Sequence, residues 1–420
     1  MNVVLINTVA LNGGDCAIVR ATDRLLREAF GPIALQVFDS QPTVSARYLP
    51  FEFSGLAYAT TRDRTWQGLR RLAIERHARA LAEGRRTAWE RLVPREARPA
   101  LEAYRRADLV VAHGGTYLVP HYDLSPRIFE FGILSRFGAP LVFFTQSLGP
   151  FPRPEHRRAL LPHFQRAPLV LVRDERSRRH LCEIGVDPER VHVHADAVFS
   201  LAPETAVPRL RERRLPSRGL AVVVSVRFWR SFQNEKRRDG MRRYVGAVAA
   251  GVAHLVRAHG ARVTFVSTCQ GIPEYWANDA AVAAEVRDAL PAGIREAVEV
   301  DGAHHSTDEL LRIFGQADVV FATRMHAGIL ALISGTPVLP VAYEFKTREL
   351  FEALGMGDAV LSIDDMTGDS TVEAWRRFLA SIDARRESLA RGVALQIESA
   401  RAVVPRLRAL AGTLGGGRRA

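Results

Sequence analysis

Short apolar segments rich in β-branched residues alternate along this chain with longer amphipathic segments. Six apolar segments in the first half predict strands, at residues 3–8, 33–38, 109–112, 141–146, 169–172 and 191–194. Six more in the second half predict strands at 220–226, 262–267, 297–301, 319–323, 338–342 and 359–363. Continuous apolar strands separated by helical patterns are typical of parallel sheets covered on both faces. We therefore predict an α/β protein with two Rossmann-like, doubly wound domains facing one another across a cleft.

A segment rich in proline and arginine at 203–218 predicts the boundary between these domains. We place an N-terminal Rossmann-like domain at 1–205 and a C-terminal Rossmann-like domain at 218–371. The helical pattern at 372–414 is expected to cross back and brace the N-terminal domain. Residues 41–105 carry many arginines and scattered aromatics, and we interpret them as a helical insertion of unknown role.

The net charge of +12 comes from 58 basic residues, of which only Lys236 and Lys346 are lysines. The arginines are spread over many predicted helix faces, which favours a solvated surface. An anionic membrane surface or an acidic glycan is the alternative partner for such charge. Nucleic acid is disfavoured, because no arginine-rich run is interleaved with aromatics in a stacking pattern. Where arginine is used almost everywhere, a lysine indicates a specific chemical need.

The three cysteines, Cys16, Cys182 and Cys269, are scattered and lack CxxC spacing. This pattern indicates a reducing compartment and disfavours both disulfides and a zinc site, so we expect no metal. No apolar run is long enough to span a membrane, and the first residues lack a positively charged start typical of a signal peptide. We therefore expect a cytoplasmic protein, with peripheral contact at the cytoplasmic membrane face as an open alternative.

Polar and glycine-rich clusters follow many of the predicted strands, and in doubly wound sheets ligands bind at these carboxyl ends. The candidate cleft residues are Asn12, Asp15, His113, Gly114, Gly115, Arg173, Arg227, Arg324, His326 and Lys346. The glycines after Asn12 allow close backbone approach, whereas Asp15 suits either a helix cap or a contact to substrate hydroxyls. The loop at His113 suits a tight turn or a binding loop equally well.

Arg324 and His326 are the strongest candidates, because they precede an almost entirely apolar helix and follow a buried strand. The positive end of a buried helix binds anions, an arginine fork adds paired oxygen contacts, and histidine can transfer a proton. Lys346 follows the next strand and is expected beside His326. Arg173 also ends a strand, where it can meet either an anion or a neighbouring carboxylate.

The sequence resembles the polysaccharide pyruvyl transferase family over roughly residues 2–360. The resemblance lies in the segments NGGD, GGTYL, QSLGPF, LVRDERS, ADAVF and TRMHAGILALISGTPVLPVAYEFK, in this order. It implies a GT-B-like fold and transfer of the enolpyruvyl group of phosphoenolpyruvate onto sugar hydroxyls of a polysaccharide or its precursor, forming a pyruvyl ketal. The resemblance implies a phosphoenolpyruvate site built from Arg173, Arg324, His326 and Lys346. His326 is our candidate catalytic acid.

Under this hypothesis the C-terminal domain is the donor side and the N-terminal domain the acceptor side. The partners are phosphoenolpyruvate, as a donor substrate rather than a cofactor, and a sugar acceptor that includes lipid-linked glycans. A GT-B glycosyltransferase or nucleotide-sugar epimerase is the main alternative, for which Glu344 is the one nearby carboxylate for a ribose. An inert sugar-binding protein is disfavoured by the intact set of Arg324, His326 and Lys346.

Overall fold

The computed structural model describes residues 1–58 and 64–414, so residues 59–63 of the predicted insertion lie outside the described residues. The chain divides into two compact units. Unit one comprises Met1–Ala10, Ile18–Ala197 and the residues from Ser399 onward. Unit two comprises Leu11–Ala17 and Val198–Glu398.

Unit one is built on a seven-stranded, fully parallel sheet in the order β3-β2-β1-β4-β5-β6-β7. Its strands are β1 (Asn2–Thr8), β2 (Ala34–Asp39), β3 (Glu52–Ser54), β4 (Leu109–Ala112), β5 (Leu141–Gln146), β6 (Val170–Val172) and β7 (Val191–Val193). The α-helices along this part of the chain are α1 (Gly13–Phe30), α2 (Pro42–Tyr48), α3 (Arg64–Ala82), α4 (Arg98–Arg106), α5 (Ser125–Leu134), α6 (Pro154–Arg166) and α7 (Glu175–Glu183). Short 3₁₀ turns lie at Ala88–Leu92, Arg95–Ala97 and Pro188–Arg190.

Unit two holds a six-stranded parallel sheet in the order β10-β9-β8-β11-β12-β13. Its strands are β8 (Ala221–Ser225), β9 (Arg262–Phe265), β10 (Val298–Val300), β11 (Val319–Ala322), β12 (Val338–Ala342) and β13 (Leu361–Ser362). The remaining helices are α8 (Ala206–Glu212), α9 (Arg237–His259), α10 (Asp279–Asp288), α11 (Ala292–Arg295), α12 (Thr307–Gln316), α13 (Met325–Ile333), α14 (Phe345–Ala353), α15 (Gly368–Arg401) and α16 (Val403–Leu414). Two more 3₁₀ turns lie at Ala197–Leu201 and Gly357–Ala359.

The prediction of two Rossmann-like, doubly wound α/β domains is confirmed by these sheets. In each sheet the strand order reverses once, between β1 and β4 in unit one and between β8 and β11 in unit two. Loops at the carboxyl ends diverge at such a point, which opens a crevice where ligands bind in this type of sheet. The fold therefore directs attention to the loops after β1, β4, β8 and β11.

The prediction that residues 41–105 form a helical insertion was incomplete, because this segment also supplies the edge strand β3. This strand has only three residues and pairs with β2, and only Ser54 of the three is buried. A strand so short and so exposed leaves no apolar run in the sequence, which is why the pattern missed it.

The predicted boundary at 203–218 also has structure of its own. It contains α8, and the guanidinium of Arg213 donates to the carbonyl oxygens of Gly335, Ala317 and Gly315 at 2.8, 2.5 and 3.1 Å. These carbonyls end α12 and α13, where a cation is favourable. The contacts fix α8 within unit two, and the change between the units falls instead at Ala197.

The chain returns to unit one at Ser399, near the end of the 34-residue helix α15. The hydroxyl of Ser399 accepts a hydrogen bond from the Ala195 backbone at 3.0 Å, and its carbonyl oxygen lies 2.9 Å from Nδ1 of His194. Arg406 of α16 donates to Nε2 of the same histidine at 3.1 Å. Among the helices described here, none combines the length and the apolar character that crossing a membrane requires.

Candidate functional site

Three neighbouring strands of unit two, β8, β11 and β12, end in loops that carry cationic side chains. Arg227 follows β8. Arg324 follows β11 as the N-cap residue of α13, and His326 lies in the first turn of that helix. Lys346 follows β12 in the first turn of α14. Parallel strands adjacent in a sheet bring their carboxyl ends together, so these four residues share one edge of unit two.

Arg324 is held by a buried carboxylate that the sequence pattern did not reveal. Its Nε and Nη2 donate to the two carboxylate oxygens of Asp279 at 2.8 and 2.7 Å. The Asp279 side chain is only 1% exposed and also accepts a hydrogen bond from Ser267 at 2.7 Å. Burial opposes the charge of Arg324, but Asp279 outweighs it and raises the pKa of the guanidinium well above its ordinary value. The arginine is therefore a permanent, fixed cation, with two of its five N–H donors directed at Asp279.

The backbone of the NGGD loop lies directly against His326. A Cβ atom added to Gly14 would be 2.8 Å from Nδ1 of His326, and the N–H of Gly13 donates to the carbonyl oxygen of Thr268 at 2.7 Å. The side chain of Asn12 accepts a hydrogen bond from the Gly14 N–H at 3.0 Å and thereby caps α1. The prediction that Asp15 caps this helix was therefore wrong, because Asp15 lies inside the first turn. Residues Leu11–Ala17 belong to unit two, so this approach occurs within one unit.

Arg227 and Lys346 surround an aromatic ring that sequence reasoning also missed. The guanidinium carbon of Arg227 lies 3.8 Å from the ring centre of Tyr343 and 4.8 Å from that of Trp229. The Nζ of Lys346 lies 5.6 Å from the Tyr343 ring centre and 2.7 Å from a carboxylate oxygen of Glu344. Cation–π contacts of this kind orient a guanidinium and leave its edge for hydrogen bonds. Glu344, the carboxylate considered for a ribose, is thus engaged with Lys346.

A buried tyrosine connects two of the loops. The hydroxyl of Tyr244 lies 2.7 Å from the hydroxyl of Thr323, and the backbone N–H of Arg227 donates to it at 3.4 Å. Burial raises the pKa of Tyr244, so the phenol stays protonated. Tyr244 comes from the first half of α9, 17 residues after Arg227 and 79 before Thr323, so no local motif marks it. It holds the ends of β8 and β11 in register.

Arg173 lies in unit one. Of the two partners considered for it, an anion or a neighbouring carboxylate, the structure shows a carboxylate. Its Nη1 donates to Asp196 at 2.5 Å, its Nε to Ser147 at 2.7 Å and its Nη2 to Thr116 at 2.8 Å. The side chains of Arg173 and Asp196 are 5% and 4% exposed. All three guanidinium nitrogens thus join the loops after β4, β5 and β7 at one edge of the first sheet.

The His113 loop is a tight, buried turn. His113 is fully buried after β4, with its ring centre 6.1 Å from that of Tyr117. Gly115 has φ of 120°, and a Cβ atom on Gly114 would lie 2.8 Å from Ile18. Only glycine tolerates these two positions. The structure favours the turn interpretation for Gly114 and Gly115.

The predicted site residues therefore fall into two groups, one in each unit. Unit two holds Asn12, Asp15, Arg227, Arg324, His326 and Lys346, whereas unit one holds His113, Gly114, Gly115 and Arg173. Within the described parts of the chain, no three histidine, cysteine or acidic side chains are grouped to hold a metal ion.

The family model described as polysaccharide pyruvyl transferase matches residues 12–344. The amylovoran biosynthesis protein AmsJ of Erwinia amylovora is 22% identical over 309 residues, which are 72% of each chain. The UDP-GlcNAc 2-epimerase of Neisseria meningitidis, solved with UDP-GlcNAc, aligns over 97% of this chain and 99% of its own, with a TM-score of 0.56 at 10% identity. The corresponding epimerase of Methanocaldococcus jannaschii aligns over 97% and 98%, with a TM-score of 0.55 at 10% identity.

At such low identity the likeness to the epimerases concerns the fold alone, and it agrees with a GT-B-like pair of Rossmann-like domains. The family match is of a different kind, because it covers well over half of the chain and spans the loops after β8 and β11 and most of the loop after β12. The protein belongs to the polysaccharide pyruvyl transferase family.

Proposed function

We propose that this protein transfers the enolpyruvyl group of phosphoenolpyruvate onto sugar hydroxyls of a polysaccharide or its precursor and forms a pyruvyl ketal. The observation that carries the proposal is the cationic edge of unit two, formed by Arg227, Arg324 and Lys346 beside His326, in a chain of this family. The acceptor is a sugar, free or lipid-linked, and no further cofactor enters the proposed reaction.

Phosphoenolpyruvate carries a carboxylate and a phosphate, so its site needs several fixed donors. Asp279 is paired with Arg324, and Glu344 is paired with Lys346. The first turns of α13 and α14 add backbone N–H groups with the positive ends of their dipoles. Arg324 would bind the donor with the N–H groups that Asp279 does not take. Lys346 would turn from Glu344 towards the donor, since an ammonium has three donors.

The proposed reaction begins with a proton. His326 donates it to the methylene carbon of phosphoenolpyruvate, which becomes a methyl group while positive charge develops on the neighbouring carbon. A sugar hydroxyl attacks that carbon and loses its proton. The carbon–oxygen bond to phosphate then breaks, and phosphate leaves with the bonding electrons. A second sugar hydroxyl closes the ketal. Of the two hydroxyl protons released, one would return to His326 and the other would go to the phosphate. Arg227, Arg324 and Lys346 would stabilise the charge on the departing phosphate.

Arg173 has a supporting role in this proposal. Its guanidinium is committed to Asp196, Ser147 and Thr116, and a direct contact with phosphoenolpyruvate would require it to leave one of them. As the structure stands, Arg173 fixes the loops of unit one, which we take as the acceptor side. The direct contact implied by the family resemblance stays a prediction.

Ligand-dependent stability tests the donor. Phosphoenolpyruvate at about 100 times its dissociation constant should stabilise the folded protein by about 2.7 kcal/mol, measured as the rise in melting temperature. Lys346→Arg keeps the charge but changes its shape and should lose most of this rise. Lys236→Arg, at the exposed start of α9, is the matched control and should keep it. If UDP-GlcNAc stabilises the protein and phosphoenolpyruvate does not, the hypothesis of a glycosyltransferase or nucleotide-sugar epimerase replaces that of a pyruvyl transferase.

A further inference from the structure

Large apolar side chains are exposed on one surface of unit one, formed by α3 and the 3₁₀ turn that follows it. Exposure reaches 56% for Trp66, 37% for Leu69, 38% for Leu72 and 50% for Leu92. The opposite face of α3 packs on the core through Ile74, which is 1% exposed. We call the exposed residues of this region the α3 surface: Trp66, Leu69, Leu72, Leu92, Arg76 and Arg79. An exposed apolar cluster of this kind marks a place where another surface binds.

The exposed face of α3 combines apolar and basic residues. Leu69, Leu72, Arg76 and Arg79 follow one another at helical spacing, and all four are exposed. Between residues 64 and 98 the sequence has ten arginines and four glutamates, a net charge of +6. This segment therefore carries half of the +12 of the whole chain. The excess charge lies in the same segment of the chain as the exposed leucines.

An open groove borders the carboxyl end of this face. It has a volume of about 730 Å³, lies between α3, α5 and α6, and has three arginines and one glutamate among its lining residues, Arg79, Arg136, Arg166 and Glu83. The Nε of Arg136 is buried there, and among the described residues it has no hydrogen-bond partner. Guanidinium groups that converge on a groove in this way suit a phosphate group.

We propose that the α3 surface binds the surface of a membrane that contains anionic phospholipids. Leu69, Leu72 and Trp66 would lie at the boundary between headgroups and acyl chains, as amphipathic interfacial helices do. Arg76 and the groove arginines would bind the lipid phosphates. A purely electrostatic partner such as nucleic acid would have no use for the exposed leucines, and an apolar protein partner would have none for the charge. The inference does not depend on the proposed reaction.

Vesicle co-sedimentation of the full chain tests this inference. The probes are vesicles of phosphatidylcholine alone and of phosphatidylcholine with about 30% phosphatidylglycerol, the second of which supplies the anionic surface. The wild-type protein should bind the anionic vesicles and leave the neutral ones. The charge-reversal pair Arg76→Glu and Arg79→Glu should weaken this binding by about tenfold or more. The pair Leu69→Ser and Leu72→Ser should weaken it to a similar degree, because interfacial binding also scales with buried apolar area.

Matched controls separate this surface from general charge and hydrophobicity. Leu395→Ser removes a leucine of α15 that is 63% exposed, and it should bind as the wild type does. Arg238→Glu with Arg257→Glu makes the same charge change on exposed positions of α9 and should also leave binding intact. Leu72→Trp should strengthen binding, a gain that misfolding of the variant cannot produce.

Two outcomes would overturn the proposal. In the first, the wild-type protein stays unbound with both kinds of vesicle. In the second, the leucine variants bind anionic vesicles as well as the wild type does, while short duplex DNA or heparin competes fully. That result would identify a polyanion surface in which the apolar residues have no role.

Discussion

His326 is the single side chain on which the proposed proton transfer depends. His326→Gln keeps similar size and some hydrogen bonding but cannot donate a proton to carbon. General acid–base catalysis contributes about 10²–10⁴-fold, so we expect kcat to fall by that order while phosphoenolpyruvate affinity changes little. Phosphate release under steady state gives kcat, and the melting-temperature rise with phosphoenolpyruvate gives the affinity.

Arg324→Gln is the companion variant, and it should mainly raise the Michaelis constant for phosphoenolpyruvate through lost anion contacts. The pH–rate profile gives a second check, since one limb should disappear in His326→Gln. Near-normal turnover with an unchanged profile would remove His326 as the acid. His113, the next histidine considered from the sequence, is fully buried, so it would need a change of conformation to reach a substrate.

The sequence indicates the candidate cations of the site but not the residues that hold them. Arg173, Arg324 and Lys346 stand out because they follow apolar strands, which is a local signal. Their partners come from elsewhere in the chain: Asp196 is 23 residues from Arg173, and Asp279 is 45 residues from Arg324. Asp279 begins a helix that no predicted strand precedes directly, so only tertiary structure assigns it. Residue types at strand ends are therefore predictable, whereas ion pairs between distant elements are not.

The first turn of α1 positions a candidate catalytic residue, because its backbone packs against the side chain of His326. In Gly14→Ala the new Cβ would meet three atoms of the His326 side chain at 2.8, 2.9 and 3.0 Å. The helix cannot shift easily, because the backbone N–H of Gly13 is hydrogen-bonded to the carbonyl oxygen of Thr268. The imidazole therefore has to move. We expect kcat to fall at least tenfold while the free energy of unfolding changes by less than about 2 kcal/mol, since alanine favours the helix by about 1 kcal/mol.

Gly246→Ala is the control for this variant. Gly246 lies within α9, and a Cβ atom there would meet nothing within 4 Å. This variant should gain up to about 1 kcal/mol in urea unfolding and keep full activity. Equal kcat in Gly14→Ala and the wild type would show that the position of His326 is not critical for turnover.

The elements themselves were largely predictable, and the reason is physical. Twelve apolar segments predicted strands, and each corresponds to a strand in the sheets, because a strand buried on both faces must be apolar throughout. The edge strands β7, β10 and β13 are only partly buried, but they too were predicted. The exception is β3, an edge strand with one buried residue. The order of neighbouring strands in each sheet, with its reversal at β1/β4 and β8/β11, depends on how the elements pack together. The sequence of a single segment therefore does not predict it.

At the scale of the whole molecule, six histidines in the described part of the chain have a pKa below its ordinary value. Burial lowers the pKa of each from 6.5, and the six are His77, His163, His192, His194, His254 and His304. In the unfolded chain these side chains take up protons near pH 6.5, whereas in the folded protein they do so only at lower pH. Acidification below 6.5 therefore favours the unfolded state. We expect the free energy of unfolding in urea to decline from about pH 7.5 to about pH 5.5.

His194 illustrates the cause and supplies the control. Besides burial, Arg406 donates to its Nε2, which leaves Nδ1 to donate to the carbonyl oxygen of Ser399 and makes a second ring proton unfavourable. His194→Gln should therefore make the decline with pH less steep. The buried carboxyl of Glu130 has the opposite effect on stability, because burial raises its pKa. Acidification therefore favours the folded state at this residue. A free energy of unfolding that is flat over this range would contradict the prediction.

The return of the chain to unit one at Ser399 has a consequence for biosynthesis. A ribosome adds about 5–20 residues per second, so the stretch Val198–Glu398 takes roughly 10 to 40 s to appear. Throughout that interval the nascent unit one lacks α16 and the hydroxyl that binds the Ala195 backbone. Unit two, by contrast, has all of its residues once Glu398 has been added. The half of the protein that is begun first is thus the half that is completed last, and chains released early carry an unfinished amino-terminal unit.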